Sequence, residues 1–295
     1  MEMLSSHESS EDAVPVMPVC LLEPVWEQFA VLLPVHPEVA PSHPLGCHRH
    51  RVSDRVVFDH VVAALVHGSG YERIATPGCS DRTIRRRVRE WADAGLAEEL
   101  HTLVLAQYDR MIGIELDDVM VDGCITKAPC GGEQAGRSPV DRGKQGVKRS
   151  TLGDAKGVPL HLVSAGANRH DAPLLEPTLA GLDALGPLPA GITAHLDRGY
   201  DSGVTRTLLA RLAITGAIAR KGVPAPLQVG MRWGIERTQS WMNDYGKVRR
   251  CTERSGRVID FYLFLAATFV VARCLIREAR TRYRWPNRPT TRRLK

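Results

Sequence analysis

The spacing of apolar residues changes near residue 116 from a helical repeat to a strand repeat. Before this point, the segment DRVVFDHVVAALVHGSG (54–70) places Val57 and Val61 on one helical face and ends on glycines. After it, the segment DDVMVDGCI (117–125) alternates polar and apolar residues in the manner of a strand with one buried face. The chain is therefore predicted to join an all-α part to a part that is built on a sheet.

The second part carries strand and helix signals in alternation. Residues 148–166 contain two strand-like runs joined by DAKG, which is a hairpin signal. A hairpin followed by alternating helix and strand segments predicts an α/β fold, in which a mixed sheet is flanked by helices. The segments after the hairpin are helix 171–185, strand 191–197, helix 201–212, strand 215–220, helix 230–245 and helix 258–276.

The all-α part ends in an arginine-rich helix. The segment SDRTIRRRVREWADAG begins at Ser80, a good N-cap, and follows a short helix and a Pro-Gly turn. This order resembles a helix-turn-helix, and an ordinary helical hairpin with a solvated basic face is the alternative. We predict a small all-α, helix-turn-helix-like DNA-binding domain at 51–115. Its candidate DNA contacts are Arg82, Arg85, Arg86 and Arg89.

Two flanking segments are predicted to lie outside the folded domains. Residues 1–50 are expected to be a disordered, proline-rich segment, and residues 277–295 a flexible basic tail. The histidines and cysteine of 36–50 match no zinc-finger spacing, so a solvated linker is favoured over a zinc site. A catalytic domain is predicted between these segments, at 116–276.

Composition favours a soluble protein with an anionic partner. The formal net charge is +6, and nucleic acid is the commonest partner of basic proteins. The seven cysteines form no CxxC pair, which argues against a disulfide framework and for a reducing compartment. The acidic start is no signal peptide, and the apolar run at 261–272 is too short to span a bilayer. We expect a cytoplasmic, nucleoid-associated protein with no membrane partner.

Three acidic residues stand out by their position. Asp122 lies inside an apolar strand, Asp197 ends another strand, and Glu236 lies on a helix with two tryptophans. A carboxylate on a core strand is unfavourable unless it is paired or bound to metal, and converging carboxylates repel one another. A divalent cation removes this conflict, and oxygen ligands favour Mg²⁺ or Mn²⁺. Two such ions per site can clamp the attacking and leaving oxygens of a phosphoryl transfer.

The sequence around these acids resembles a known family. The motifs VDG, LDRGYDS and RWGIERTQSWMNDYGKVRRCTER are similar to those of the DDE transposases of bacterial insertion sequences, in the group with a YREK-type signature. The resemblance implies a ribonuclease H-like catalytic core. It also implies that Asp122, Asp197 and Glu236 are the catalytic, metal-binding triad; Asp197 and Glu236 are 39 residues apart.

The match to the signature is incomplete. Arg232 stands where the family has its arginine, but Val229 and Asn243 stand in place of its tyrosine and lysine. Lys247 could replace the lysine in part. His170 and Asp171 match a family motif, RHD, and their role is left open. The residues expected to contact DNA around the triad are Lys148, Arg149, Arg198, Arg232, Arg237 and Lys247.

The resemblance implies a transposase that acts on double-stranded DNA. Its DNA partners would be the terminal inverted repeats and the target, and a homodimer or larger synaptic assembly would hold two ends together. Two alternatives stay open. One is a nuclease of the same fold that cuts without joining. The other is a catalytically inactive DNA-binding regulator.

Overall fold

Helices fill the described chain up to residue 111, and a sheet with flanking helices follows. The computed structural model describes residues 16–35, 51–220, 222 and 233–284. The helices before the sheet are α1 (Val19–Leu32), α2 (Asp54–His67), α3 (Tyr71–Ile74), α4 (Asp81–Asp93) and α5 (Leu96–Met111).

Local signals set the ends of α2 and α4. Ser53 and Ser80 each accept a hydrogen bond from the backbone amide three residues later, so they cap these two helices. Helix α2 ends at Gly68, which adopts a left-handed conformation with φ of 67°. The N-cap at Ser80 and the glycine end of α2 agree with the sequence prediction.

The N-terminal segment differs from its prediction, because Val19–Leu32 is a helix and not part of a disordered segment. Phe29 is fully buried, and its ring centroid lies 4.9 Å from that of Phe58 and 5.0 Å from that of Trp91. Pro24 lies inside α1 and removes one backbone donor. Packing of the apolar face against α2 and α4 offsets this loss, and nothing in the local sequence reveals that packing.

In the described part of the chain, six strands form one mixed sheet. In space, the long strands run in the order β4–β3–β1–β5–β6, and the short β2 pairs with one end of β3. Strand β3 is antiparallel to β1 and β4, whereas β1, β5 and β6 are parallel. This order and these directions are those of a ribonuclease H-like sheet, and the predicted fold class is confirmed. The strands are β1 (Asp118–Lys127), β2 (Gly136–Arg137), β3 (Gln145–Asp154), β4 (Pro159–Gly166), β5 (Thr193–Leu196) and β6 (Thr215–Ile218).

Helices cover both faces of the sheet. Helix α6 contacts one face of β3, where the hydroxyl of Thr178 donates to that of Ser150 at 2.7 Å. Helix α8 contacts the other face, where the amide of Gln239 donates to Thr151 at 3.2 Å. The helices of this part are α6 (Ala172–Leu179), α7 (Gly203–Arg211), α8 (Trp233–Asn243), α9 (Gly246–Arg249) and α10 (Gly256–Arg282).

Helix α10 joins the two parts of the chain into one core. It contacts α1, α4 and α5 of the helical part and β4 and α8 of the sheet part. Of the described helices it is the one long and apolar enough to cross a membrane, but 78% of its most apolar stretch is buried inside the protein. Helix α10 is therefore a core helix, as the sequence predicted for 258–276, and one continuous apolar cluster includes residues from both parts. The helix continues to Arg282, which bonds to the carbonyl of Ile112, so the prediction of a flexible tail is wrong for 277–282.

The end of α2 also contacts α9. The backbones of Gly68 and Gly246 lie so close that a β-carbon on either glycine would overlap the other. Beside them, the hydroxyl of Tyr262 donates to that of Tyr71 at 3.0 Å, and the ammonium of Lys247 lies 4.8 Å from the ring centroid of Tyr71. These contacts hold the helical part against α9, which directly follows α8 in the chain.

Candidate active site

Two aspartates lie side by side at one edge of the sheet. In the parallel pairing of β1 with β5, Val121 lies opposite Leu196, so the next residues, Asp122 and Asp197, come at the same level on neighbouring strands. Each carboxylate accepts a hydrogen bond at 2.8 Å from a backbone amide just beyond it in the chain. The carboxyl ends of parallel strands are where α/β proteins bind their ligands.

Asp122 holds its proton more tightly than an ordinary aspartate. Burial raises the pKa of Asp122 to about 7, the amide of Gly123 opposes this shift, and the charges of Asp197, Glu236 and Asp171 add to it. Three acidic residues from other segments of the chain therefore act on Asp122. A half-buried carboxyl with three acidic neighbours favours the approach of a cation.

Asp171 contacts the site from the start of α6. Its Oδ1 atom lies 2.9 Å from Nζ of Lys148, and it lies so near Gly123 that a β-carbon on this glycine would overlap it. The glycine of the VDG motif therefore leaves room for the aspartate of the RHD motif. His170 is exposed. Of these two residues, whose role the sequence left open, Asp171 is the one in contact with the site.

Glu236 lies on the first turn of α8, with its side chain exposed. The helix comes very close to β1 at Gly234, where a β-carbon would overlap the thioether of Met120. One turn beyond Glu236, the side-chain amide of Gln239 donates to the carbonyl oxygen of Asp122 at 3.4 Å. The third carboxylate is therefore carried by a helix that is hydrogen-bonded to the residue holding the first.

The donor groups at this edge suit a hard divalent cation. Asp122, Asp197, Glu236 and Asp171 offer carboxylate oxygens, which Mg²⁺ and Mn²⁺ prefer as ligands. Within residues 16–35, 51–220, 222 and 233–284, however, no three His, Cys, Asp or Glu side chains are close enough together to hold a metal ion. These residues fit a cation by their chemistry, although in the described residues their side chains are not gathered into a metal site.

Three of the expected DNA contacts are buried, so their assignment to a DNA-binding surface is wrong. Lys148 is 5% exposed and pairs with Asp171, and Arg149 is 1% exposed and hydrogen-bonds to α8. Lys247 is 4% exposed and donates to Glu253. The sequence shows that a residue is charged, but it does not show whether other helices or strands bury that residue.

Two other expected DNA contacts have different surroundings. The guanidinium of Arg237 lies 4.4 Å from the ring centroid of Trp233 and 4.8 Å from that of Trp241, and it donates to the carbonyl of Lys156. Arg198 is exposed beside Asp197. The predictions that fall outside the described residues concern 1–15, 36–50, Val229, Arg232 and 285–295.

Helix α4 carries a basic stripe. Arg82, Arg86 and Arg89 are exposed, and their spacing places them on one helical face. Arg85 lies on the same side, but its guanidinium pairs with Glu72 at 2.7 Å. Helix α4 is the second helix of the α3–turn–α4 unit, the position that a recognition helix takes in a helix-turn-helix.

Two residues near the site gave no usable signal in the sequence. Gln239 is a polar residue on a helix, and its importance depends on partners in β1 and β3 that lie far away in the chain. Tyr200 follows Asp197 within LDRGYDS and is fully buried. Burial raises the pKa of the Tyr200 hydroxyl, and the charges of Asp171, Asp122 and Asp197 raise it further.

Similarity to known proteins identifies the chain. Residues 21–101 match a family profile described as "Putative transposase of IS4/5 family (DUF4096)", and the match runs from α1 into α5. A protein of Burkholderia cepacia, "Putative transposase for insertion sequence element IS402", is 31% identical over 147 residues, which cover 48% of this chain and 69% of that protein. The chain belongs to this family of insertion-sequence transposases.

A second relative of the transposase comes from the same species. "Insertion element IS402 uncharacterized 16.2 kDa protein" is 29% identical over 115 residues, which cover 38% of this chain and 78% of that protein. Among solved structures, one similar to this chain is the "Crystal structure of the Mos1 mariner paired end complex with Mn". The alignment covers 92% of this chain and 90% of the Mos1 chain, with 9% sequence identity and a TM-score of 0.31. A TM-score of 0.31 is too low to indicate a shared fold, and the fold of the chain follows from its strand order alone.

Proposed function

We propose that this transposase binds the terminal inverted repeats of its insertion sequence and catalyses DNA cleavage and strand transfer with Asp122, Asp197 and Glu236. The observation that carries the proposal is the placement of Asp122 and Asp197 at one level on neighbouring strands, with Glu236 near enough to raise the pKa of Asp122. Three carboxylates that share their charge at the edge of a sheet are unfavourable unless they bind a cation.

Asp122, Asp197 and Glu236 would hold Mg²⁺ or Mn²⁺, with two ions per site. When bound, such ions supply Lewis acidity to the attacking oxygen and neutralise charge on the leaving oxygen. The residues of the chain prepare for this role in two ways. The backbone amides of Gly123 and Gly199 orient the two aspartates, and burial of Asp122 disfavours its charge until a cation is present.

The proposed reaction has two steps on the same carboxylates. In cleavage, the oxygen of a water molecule bonds to phosphorus and the bond from phosphorus to the 3′ oxygen breaks, which leaves a 3′-hydroxyl on the element. In strand transfer, this hydroxyl attacks a phosphodiester of the target, and the target's own 3′ oxygen leaves. Holding the reacting groups in line supplies much of the rate enhancement.

The partners of the transposase are two kinds of double-stranded DNA. The exposed arginines of α4 would contact the inverted repeat, since a basic recognition helix suits the major groove. Two ends must be held together before joining, so we propose a homodimer or a larger synaptic assembly. The place of action is the DNA of the nucleoid in the cytoplasm.

The test compares wild type, Asp197→Asn and Asp183→Asn on DNA that carries the element's inverted repeats. Asp183 is an exposed carboxylate in the 3₁₀ turn after α6, and its loss should leave all activities unchanged. Asp197→Asn should abolish Mg²⁺-dependent cleavage and joining but retain binding at low salt. Cleavage without joined product in wild type would favour a nuclease, and binding without cleavage would favour an inactive regulator.

A further inference from the structure

A buried arginine lies between the sheet and the helix that carries Glu236. Arg149 is in the middle of β3, opposite Cys124 of β1, and is 1% exposed. Its guanidinium donates to Oε1 of Gln239 at 2.7 Å and to Oδ1 of Asn243 at 2.9 Å. A longer bond of 3.4 Å reaches the hydroxyl of Thr126. All of these acceptors are neutral.

The contacts of Arg149 lead to the proposed site. Gln239 accepts from Arg149 and donates to the carbonyl oxygen of Asp122, so the two side chains form one chain of hydrogen bonds to the strand residue. Glu236, Gln239 and Asn243 are spaced by three and four residues, which places them along one face of α8. Arg149 therefore hydrogen-bonds to two successive turns of α8, on the same face that carries Glu236.

The charge of Arg149 needs an explanation beyond packing. Removing a guanidinium from water is unfavourable, and neutral acceptors offset only part of the loss. Burial lowers the pKa of Arg149, and the nearby carboxylate of Asp122 opposes that shift. An apolar side chain of similar size would fill the same space without this penalty. The two hydrogen bonds from Arg149 to α8 supply that explanation, because a charged donor makes stronger hydrogen bonds than a neutral one.

We propose that Arg149 is a positioning residue, which holds Glu236 in register with Asp122 through its hydrogen bonds to α8. This inference rests on the proposed function, because it assigns Arg149 a role in the metal site of that function. Arg149 itself stays inside the protein and does not contact DNA. Groups that orient metal ligands in this way change metal affinity when they are replaced.

A matched arginine separates this role from ordinary structural support. Arg87 of α4 is fully buried and pairs with Asp54 and Glu90 in the helical part, away from the sheet. Replacing either arginine by methionine removes one buried guanidinium of the same size. A general loss of stability should follow in both variants. A change in metal binding should follow only at Arg149.

The experiment measures Mn²⁺ binding to the full-length protein without DNA, by the electron paramagnetic resonance signal of free Mn²⁺. The dissociation constant should rise by roughly tenfold or more in Arg149→Met and stay near the wild-type value in Arg87→Met. Arg149→Lys should recover little of the loss, because lysine keeps the charge but cannot bond to both Gln239 and Asn243. The Mn²⁺ concentration for half-maximal cleavage should shift in the same order.

An equal Mn²⁺ affinity in Arg149→Met and Arg87→Met would overturn the inference. If Arg149→Met does not fold, the Mn²⁺ affinity of Gln239→Ala tests the inference instead. This variant keeps Arg149 and removes the hydrogen bond from Gln239 to Asp122. Unchanged Mn²⁺ affinity in that variant would also overturn the inference. A wild-type protein that binds no Mn²⁺ and cuts no DNA would overturn the proposed function itself. The two failures are therefore distinguishable.

Discussion

Gly123 and Asp171 are in contact, and the space that a β-carbon would occupy on the glycine is taken by the carboxylate of the aspartate. The two residues belong to different motifs, one in β1 and one just before α6. Their contact places the Lys148–Asp171 ion pair directly beside Asp122. Gly123 is therefore needed because only a residue without a β-carbon lets the segment that carries Asp171 come this close to the site.

Gly123→Ala should lower DNA cleavage by roughly tenfold or more, because a small displacement of groups at a reacting centre has a large effect on rate. The added methyl group would push the carboxylate of Asp171 away from Lys148, at a stability loss of about 1–3 kcal/mol. Gly203→Ala is the control, since a β-carbon at that glycine meets no atom within 4 Å. Equal cleavage rates in the two variants would contradict a role for the contact.

Asp122→Asn should stabilise the metal-free protein, and more so at pH 8 than at pH 5. The folded pKa of Asp122, about 7, lies above its ordinary value of 3.8, so the folded state keeps a proton that the unfolded state has released. Stability of the wild type should therefore fall as pH rises from about 4 to about 7. Removing the carboxylate relieves this loss. The resulting gain in the free energy of unfolding should be at most about 4 kcal/mol at pH 8.

Urea unfolding of Asp122→Asn in a metal chelator, at both pH values, measures the effect. Asp183→Asn, an exposed acid outside the site, should show no such pH dependence. A gain for Asp122→Asn that is the same at pH 5 and pH 8 would show that the carboxyl is not held neutral by its surroundings.

Arg86→Gln replaces one of the exposed arginines of α4, and it should weaken DNA binding and reduce the dependence of binding on salt concentration. The Arg86 side chain is 66% exposed, and removing one ion pair with a DNA phosphate should reduce the slope of log affinity against log salt by about 0.9. Arg211→Gln is a matched control on α7, where the side chain is 61% exposed and paired with Glu176. Fluorescence anisotropy at several salt concentrations would measure both slopes, and equal slopes would exclude Arg86 as a phosphate contact.

Lys247→Met should destabilise the protein by about 3 kcal/mol, because it leaves Glu253 without its buried partner. The Lys247 side chain is 2% exposed, and its ammonium lies over the rings of Tyr71 and Tyr262. The control is Lys156→Met, whose exposed pair with Glu115 should contribute less than about 1 kcal/mol. The double variant Lys247→Met/Glu253→Gln should recover part of the stability in urea unfolding, and no recovery would argue against the pair.

The sequence predicted the parts of the fold that depend on local pattern. Alternation of apolar residues located β1, β3, β4 and β5, and the DAKG turn placed the hairpin, since register and turn chemistry are local properties. Helix α1 was missed because its apolar face depends on Phe58 and Trp91, which lie at least 29 residues further along the chain. Packing between distant segments leaves no trace in a short window.

The same limit applied to the candidate site. Asp122 and Asp197 stood out because a carboxylate in an apolar strand is unusual, whatever surrounds it. Arg149 and Lys247 were assigned to the surface because arginine and lysine are mostly exposed. Their burial follows from α8 and α10 closing over them, and only the three-dimensional structure gives that information.

The shared use of α10 has a consequence for synthesis of the protein on the ribosome. Helices α4 and α5 cannot complete their packing until residues 256–282 have emerged, because α10 covers the apolar sides of both. A nascent chain that stops before α10 would expose the buried faces of Leu100 and Trp91 and would be prone to aggregation. A shortened product that keeps only the first five helices should therefore be a poor competitor for the element's ends.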